Sequence, residues 1–135
     1  MKTQFSLIAL FVLLFTNYSQ AQEIQFIATT IDYGTIEKGS DPLREFTFTN
    51  TGKAPLVISS AKSSCGCTVP SYPKDPILPG EGGTIKVKYN TNNTGKFTKY
   101  ITLVSNDVNN TQTRLTIKGH INAPESKSAG SVASE

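Results

Sequence analysis

Two cysteines separated by a single glycine are the residues of this sequence best suited to chemistry. Cys65 and Cys67 lie in the stretch SSCGCT, and the chain contains no other cysteine. Two thiols at this spacing can form a disulfide, exchange disulfides with a substrate, bind a soft metal ion such as Cu(I), or pack as plain buried side chains. The sequence around them favours some of these four interpretations over others.

A disulfide between Cys65 and Cys67 requires the chain to turn at Gly66. In a flat strand, the Cα atoms of residues two apart lie roughly 6.6 Å from each other and the side chains are parallel, so the Cβ atoms are too far apart for the bond. Gly66 is predicted to permit the turn because glycine tolerates conformations that other residues avoid. We expect a ring this small to be strained and easily reduced, and too short to stabilise the fold much.

Redox and metal chemistry have less support from the residues near the two cysteines. A catalytic thiol needs a lowered pKa, usually from a helix N-terminus or a nearby cation, and the cations near in sequence are Lys62 and Lys74. A zinc site needs about four ligands, for which the further candidates are His120 and carboxylates such as Asp75. We therefore predict a disulfide or structural corner first, plain buried thiols second, and redox or Cu(I) chemistry third, with no cofactor and no metal site.

The other residues with potentially catalytic side chains are interpreted as structural. His120 is the only histidine and lies on the polar face of a predicted strand. Asp32 and Asp107 lie at predicted turns, where a carboxylate accepts hydrogen bonds from backbone N–H groups. No carboxylate pair, triad or metal-ligand cluster emerges, so the sequence predicts a protein that is not an enzyme.

Both ends of the chain differ in composition from its middle. Residues 1–21 combine a basic start, an apolar run from Phe5 to Phe15 and small residues before residue 22, which is typical of a cleaved secretory signal peptide and too short for a membrane span. Residues 122–135 are rich in Ser, Ala and Gly and are predicted to form a disordered tail. Residues 22–121 are predicted to fold as a single domain, exported to the periplasm or the medium.

The charge of the mature chain argues against one class of partner. Cleavage removes one cation, Lys2, from the 13 Lys and Arg of the chain, which leaves 12 against 10 Asp and Glu and a net charge of +2. These charges are interspersed along the sequence without a basic stripe, so nucleic acid is not an expected partner. Export also places the cysteines in a compartment that permits disulfides.

Alternation of apolar and polar residues indicates strands throughout the domain. In TIKVKYN, Ile85, Val87 and Tyr89 share one face, and Lys86 and Lys88 share the other. Segments rich in Gly and Asn separate about seven such strands, which predicts an all-β, immunoglobulin-like β-sandwich of antiparallel strands. The first predicted strand is IQFIATTI (residues 24–31), and the third is LVIS (residues 56–59).

One predicted strand breaks the alternation. In KFTKYITLV, Lys99 falls on the face that Phe97 and Ile101 share. Either a β-bulge changes the facing of the side chains, or Lys99 lies at the rim of the sheet with its charged end in water. The sequence does not discriminate between these two arrangements.

The order of strands and turns resembles a bacterial family of exported immunoglobulin-like domains, domain of unknown function 1573. The resemblance begins with IDYGTIEKG (residues 31–39), includes SCGCTVP (residues 64–70) as its most recognisable motif, and ends with LTIKGHI (residues 115–121). Between them it covers the segments FTFTNTGKAPLVI, LPGEGGTIKVKYN and TGKFTKYITLVSND. Besides the two cysteines, the residues that support these motifs are Asp32, Gly34, Asn50, Gly66, Gly80 and Asp107.

The resemblance supports the immunoglobulin-like fold, and an all-β domain without a catalytic constellation carries the functional prediction. The family is distantly similar to hydin-type and major-sperm-protein domains, which are binding and scaffolding modules. We therefore predict an exported binding or scaffolding module whose partner is an unidentified protein or envelope component, reached through an edge strand or through loops. The alternative is a thiol-disulfide or Cu(I)-handling protein that uses Cys65 and Cys67.

Overall fold

The protein is an all-β structure in the computed structural model, which describes residues 21–125. Its eight strands are β1 (Ile24–Phe26), β2 (Thr30–Glu37), β3 (Leu43–Asn50), β4 (Ile58–Ser63), β5 (Thr68–Ser71), β6 (Gly82–Tyr89), β7 (Gly95–Ser105) and β8 (Gln112–Asn122). The signal-peptide prediction up to residue 20 and the tail prediction from residue 126 lie outside the described residues, and both stay predictions. Between residues 21 and 125, no helix has the length and apolar character that crossing a membrane requires.

The strands form two four-stranded sheets that enclose one core. Sheet A has the order β1-β3-β6-β5, and sheet B has the order β2-β8-β7-β4. The neighbouring strands are antiparallel except for β2 and β8, which are parallel. The predicted all-β sandwich is confirmed, with two corrections: it has eight strands in place of about seven, and one of its pairs is parallel.

Both corrections arise at the beginning of the domain. The predicted first strand, residues 24–31, is two strands in different sheets, because β1 pairs with β3 and β2 pairs with β8. Ile27, which lies between them, is 82% exposed. The chain passes from sheet A to sheet B without reversing, so β1 and β2 run in the same direction. β8 runs in that direction too, and its pairing with β2 is therefore parallel. Apolar residues continue through the crossing, so the sequence pattern carried no sign of it.

The third predicted strand is displaced toward the C-terminus. β4 begins at Ile58, and the preceding Leu56 instead forms an isolated bridge with Ile77 through two hydrogen bonds of 2.8 Å. The pairing of β4 with β7 is irregular between Ile58 and Ser60, where an extra residue is accommodated. The side chain of Leu56 is nonetheless fully buried, so its place in the core was predictable although its strand was not.

The core is built from alternate residues of the strands. In β6, Ile85, Val87 and Tyr89 are buried while Lys86 and Lys88 are exposed, as the alternation predicted. Burying an apolar side chain of this size contributes roughly 1.5–3 kcal/mol. The core also includes Tyr33, Phe46, Phe48, Leu56, Ile58, Ile77, Phe97, Ile101, Leu103, Leu115, Ile117 and Ile121.

The position of Lys99 resolves the ambiguity in β7. Lys99 pairs with Ile117 in a register that runs without interruption from Gly95 to Val104, so the β-bulge interpretation is wrong. The lysine is half-buried on the inward face. β4 covers β7 only as far as Ile101, so Lys99 lies just past the end of β4, in agreement with the rim interpretation.

Candidate functional site

The segment that contains both cysteines carries the chain from sheet B to sheet A. β4 ends at Ser63 and β5 begins at Thr68, and we call residues 64–67 the Cys loop. Cys65 and Cys67 form a disulfide, with their Cα atoms 5.3 Å apart. The N–H of Thr68 donates a hydrogen bond to the carbonyl of Cys65 (3.4 Å), so the chain turns between the cysteines as the geometric argument required. Neither sulfur is free in this state to bind a metal ion or to pack as a separate thiol.

Gly66 does not play the conformational part expected of it. The residues with positive φ in the described chain are Gly34, Gly39, Gly80 and Gly95, and Gly66 is not among them. With its chain neighbours Cys65 and Cys67 set aside, a Cβ atom built on Gly66 would meet no heavy atom within 4 Å. The turn therefore does not depend on glycine, and the expectation that it does is wrong. What the glycine provides is an outer side of the Cys loop that carries no side chain.

Hydrogen bonds from both sheets fix the Cys loop. The hydroxyl of Ser63, at the end of β4, lies within hydrogen-bonding distance of the carbonyls of Cys65 and Thr68 (2.7 Å to the latter), which share its single proton. On the other side, the N–H of Asn90 donates to the carbonyl of Cys67 (2.8 Å). The loop is thereby tied to sheet B through Ser63 and to sheet A through the residue that follows β6.

A shallow hollow of about 300 Å³ adjoins the disulfide on the side of sheet A. Residues that line it include Pro42, Cys67, Val69, Tyr89 and Asn92. Val69 is 62% exposed, whereas Tyr89 is buried in the core. The hollow thus combines an apolar surface with the polar edges of neighbouring loops.

Aromatic packing supports this end of the sandwich from below. The rings of Tyr89 and Phe97 stack at 3.9 Å, and the ring of Tyr33 meets Phe97 edge-on at 5.4 Å. The hydroxyl of Tyr33 donates to the carbonyl of Pro42 (2.8 Å), which anchors the loop between β2 and β3. Burial raises the pKa of Tyr33 above the ordinary tyrosine value, and the Arg44 guanidinium, 4.1 Å from the ring centroid, opposes part of that rise.

Asn50 lies at the opposite end of the sandwich, where it organises two loops. Its side chain is fully buried. The side-chain amide donates to the carbonyls of Ala54 and Ile77 (2.9 Å each), and its carbonyl oxygen accepts from the N–H of Gly52 (3.0 Å). These bonds reach three backbone groups of the two loops; the carbonyl of Ile77 also accepts from Leu56, whereas Ala54 and Gly52 lie outside the strands. Asn50 is therefore placed to hold the framework and not to meet a ligand.

Asp107 acts in the same way on the connection between β7 and β8. Asp107 is 2% exposed. One carboxylate oxygen accepts from the N–H groups of Asn109 (2.7 Å) and Asn110 (3.0 Å), and the other accepts from the N–H of Ile24 in β1 (2.9 Å). The carboxylate thus joins a sheet B hairpin to the first strand of sheet A.

The remaining motif residues stabilise the local conformation of the backbone. Asp32 accepts a hydrogen bond from the N–H of Gly34 (2.8 Å), where φ is +69° and the pairing of β2 with β8 is irregular. Gly80, with φ of +81°, donates to the carbonyl of Asn50 (2.8 Å). The motif residues therefore do not converge on one site: Asn50, Gly80 and Asp107 lie at the end of the sandwich opposite the Cys loop.

The described chain offers no cluster of metal ligands. Between residues 21 and 125, no three His, Cys, Asp or Glu side chains lie close enough together to hold a metal ion. His120 is exposed on the outer face of β8, where it pairs with Lys96. It is therefore separated from the disulfide, which lies beyond the opposite edge of sheet B.

One feature of the surface was not visible in the linear sequence. Cations that are scattered along the chain occupy outward positions on three neighbouring strands of sheet B. They are Lys62 on β4, Lys96 on β7, and Arg114 and Lys118 on β8. The strand pairings could have revealed this, because outward positions alternate and the strands are adjacent.

Comparison with known proteins places the fold. A family model with the description "Protein of unknown function (DUF1573)" matches residues 24–121. No curated protein sequence matches the chain significantly.

Solved structures match the chain in fold at low identity. A protein of unknown function from Porphyromonas gingivalis W83 is 16% identical with a TM-score of 0.67; the match covers 78% of this chain and 50% of that protein, so this chain spans half its length. The PapD-like domain 7 of human CEP192 is 11% identical with a TM-score of 0.61, covering 82% and 92%. The YadV chaperone is 16% identical with a TM-score of 0.55, covering 76% and 53%. These likenesses show the immunoglobulin-like fold.

Replacing Asn50 by alanine tests its role in the framework. We expect Asn50→Ala to lower the free energy of unfolding by about 2–4 kcal/mol, because it leaves buried backbone groups without partners. Asn92→Ala is the matched control, since the Asn92 side chain is exposed, and we expect a change within about 0.5 kcal/mol. Urea denaturation measures both values. Equal costs for the two variants would contradict the role given to Asn50.

Replacing Gly66 by alanine tests whether the Cys loop needs glycine. We expect Gly66→Ala to change stability by less than about 0.5 kcal/mol and to leave the disulfide intact, because the new methyl group meets open space. Gly34→Ala, at a positive φ, is expected to cost about 1–2 kcal/mol. Thermal denaturation and thiol alkylation followed by mass spectrometry check both variants. A Gly66→Ala variant that is as unstable as Gly34→Ala, or that has free thiols, would show that the turn does require glycine.

Proposed function

Since the chain belongs to the family of proteins of unknown function 1573, we propose that it is an exported, non-catalytic module that binds another protein or a component of the cell envelope. The observation that carries this proposal is the fixed and exposed Cys loop beside the hollow at one end of the sandwich. The proposal concerns binding alone, with the disulfide as part of the binding surface's framework.

The Cys loop has the properties of a preorganised contact surface. The disulfide closes the loop, and Ser63 and Asn90 hold it from the two sheets. A loop that is already ordered loses less conformational entropy when a partner binds. Gly66 adds no side chain at the tip, and the neighbouring Val69 exposes apolar surface that a partner can cover.

The motif residues support a binding role because they serve the framework. Asn50 and Asp107 are buried and use their polar atoms on backbone groups, which leaves those atoms unavailable for a substrate. Among proteins of similar fold, YadV is described as a chaperone, and a PapD-like domain occurs in CEP192. Neither description names a partner for this chain.

Export is supported by two features of the chain. Residues 1–21 have the composition of a cleaved signal peptide. The disulfide between Cys65 and Cys67 belongs in an oxidising compartment such as the periplasm or the medium.

Affinity capture tests the proposal with a matched pair of variants. Biotinylated mature protein is incubated with envelope extract of the organism that encodes it, and bound proteins are identified by quantitative mass spectrometry. We expect one partner to be enriched by the wild type and by Val108→Asp, and to be enriched at least about fivefold less by Val69→Asp, because a charge then replaces exposed apolar surface at the hollow. Val108 is the control because it is similarly exposed, at 58%, on the connection between β7 and β8.

Two results would contradict the proposal. The first is a wild-type capture that yields no partner above an empty matrix. The second is a catalytic function of the cysteines, seen as insulin-disulfide reduction by the wild type at a rate that falls in the Cys65→Ser/Cys67→Ser double variant. We expect neither protein to exceed the uncatalysed rate.

A further inference from the structure

The outer edge of β4 carries backbone groups that face away from the sheet. The N–H of Ser64 donates to the carbonyl of Tyr100 (2.8 Å), and the N–H of Tyr100 donates to the hydroxyl of Ser64 (3.1 Å). In an antiparallel strand, the backbone groups of every second residue face the same neighbouring strand. The N–H and C=O groups of Lys62 therefore face β7 as well. Ala61 and Ser63 lie between these positions, and their N–H and C=O groups therefore point outward.

Features on both sides delimit this open edge. Toward the start of β4, the hydroxyl of Tyr72 donates to the carbonyl of Ser59 (3.0 Å) and occupies it. Toward the end of β4, the Cys loop turns away to sheet A. In the described part of the chain, no hydrogen bond reaches the backbone groups of Ala61 or Ser63. Two donors and two acceptors in alternation are what an added strand requires.

The neighbouring edge, β5, is closed to such an addition. The hydrogen bond from Asn90 to Cys67 shows that Thr68 and Pro70 are the residues whose backbone groups face outward. Thr68 uses both of its groups within the turn, as a donor to Cys65 and as an acceptor from the Ser63 hydroxyl. Pro70 has no N–H to offer. The outward side of β5 is therefore left with the carbonyl of Pro70.

The edges formed by β1 and β2 are partly occupied or interrupted. β1 has three residues, and the N–H of Ile24 is bound by the carboxylate of Asp107. The pairing of β2 is broken between Asp32 and Thr35, around Gly34. The set of alternate residues whose backbone groups face outward differs before and after this break. An incoming strand therefore cannot pair with the whole length of β2. Before that break, Thr30 and Asp32 also direct backbone groups outward, but the carboxylate of Asp32 disfavours an acidic strand there, whereas Lys62 favours one at the Ala61–Ser63 edge.

Charged side chains beside this edge favour an acidic partner. Lys62 and Arg114 lie in one row across the outer face of sheet B, because both pair with Thr102. Within residues 21–125, neither cation forms an ion pair. The acidic residues on the strands of this sheet are Asp32 and Glu37, which lie on β2 at the opposite edge.

A shallow depression of about 440 Å³ extends from the open edge over the same row. Tyr100 is 42% exposed there, with the Arg114 guanidinium 5.2 Å from the centroid of its ring. The depression gives the side chains of an added strand a surface that is both cationic and partly apolar. It is lined by Lys62, Ser63, Ser64, Tyr100, Thr102 and Arg114.

We propose that the Ala61–Ser63 edge of β4 binds an extended, acidic segment of a partner protein by β-strand addition, with the acidic side chains directed toward Lys62 and Arg114. This inference rests on the proposed binding function; it adds to the Cys loop a second contact surface, on the side of sheet B, and names the chemistry of the partner segment that binds there. A second copy of the chain is disfavoured at this edge, because pairing two β4 strands about Lys62 brings two lysines together.

The test uses a fluorescein-labelled peptide of about ten residues in which Glu and Val alternate, a length that matches a long strand. Fluorescence anisotropy measures its binding to the mature, oxidised protein. We expect saturable binding, and binding at least about tenfold weaker for a peptide of equal charge in which alternate valines are proline, since one of every two neighbouring valine N–H donors is then missing. Raising the salt concentration is expected to weaken binding severalfold.

Variants of the protein locate the binding surface. Ala61→Pro removes an outward N–H without breaking the β4–β7 ladder and is expected to weaken peptide binding about tenfold. Thr30→Pro, its matched control, removes an outward N–H from β2 and is expected to leave binding unchanged. Lys62→Gln is expected to weaken binding severalfold. If the proline variant fails to fold, NMR of the wild type tests the same surface. Peptide addition is then expected to shift the amide resonances of Ala61 and Ser63.

Four outcomes would overturn the inference. They are absence of binding at about millimolar peptide, a level near the weakest specific affinities; equal binding of the proline-containing peptide; equal binding to the wild type and Ala61→Pro; and a dimer that light scattering detects in the wild type but not in Ala61→Pro. If the peptide result is negative while affinity capture still yields a partner, the inference fails and the proposed function stands. Loss of capture by the wild type would remove both.

Discussion

The structure depends on supplying partners to backbone groups where strands end or change sheets. A buried N–H or C=O left without a partner costs about 1–3 kcal/mol, which is large against the total stability of a small domain. Apolar side chains cannot form hydrogen bonds with these backbone groups, whereas short polar side chains can. Asn50 and Asp107 each satisfy three backbone groups at one end, and Ser63 holds the crossing from sheet B to sheet A at the other.

The hydrogen-bond partners of the polar groups distinguish the residues of the framework from those of the binding surface. Asp107 and Asp32 were candidate functional residues because they carry carboxylates. In the structure, these carboxylates accept hydrogen bonds from backbone N–H groups. The disulfide completes the crossing between β4 and β5, where Thr68 has both backbone groups occupied. At Ala61 and Ser63, by contrast, the backbone groups face outward beside a cationic face. An edge of this kind is a place where another chain can continue the sheet.

The sequence predicted those parts of the structure that alternation controls. The inward positions of Ile85 and Val87 follow from the two-residue period of a strand, because a strand with one wet face must bury the other. The crossing at Ile27 was missed because the apolar pattern continues through it while the pairing partner changes. The cationic row of Lys62 and Arg114 was missed because it depends on which strands are neighbours, and strand order is not a local property of the sequence. Gly66 was misjudged because its φ is not positive, although the turn between the two cysteines suggested a conformation reserved for glycine.

Amide hydrogen exchange measured residue by residue tests the account most directly. The account predicts slow exchange for the N–H groups of Lys62 and Ser64, which face β7, and fast exchange for those of Ala61 and Ser63, which face outward on the same strand. Slow exchange at all four residues in the isolated protein would show that the edge of β4 is already occupied. That result would contradict both the hydrogen-bond assignment and the binding surface derived from it.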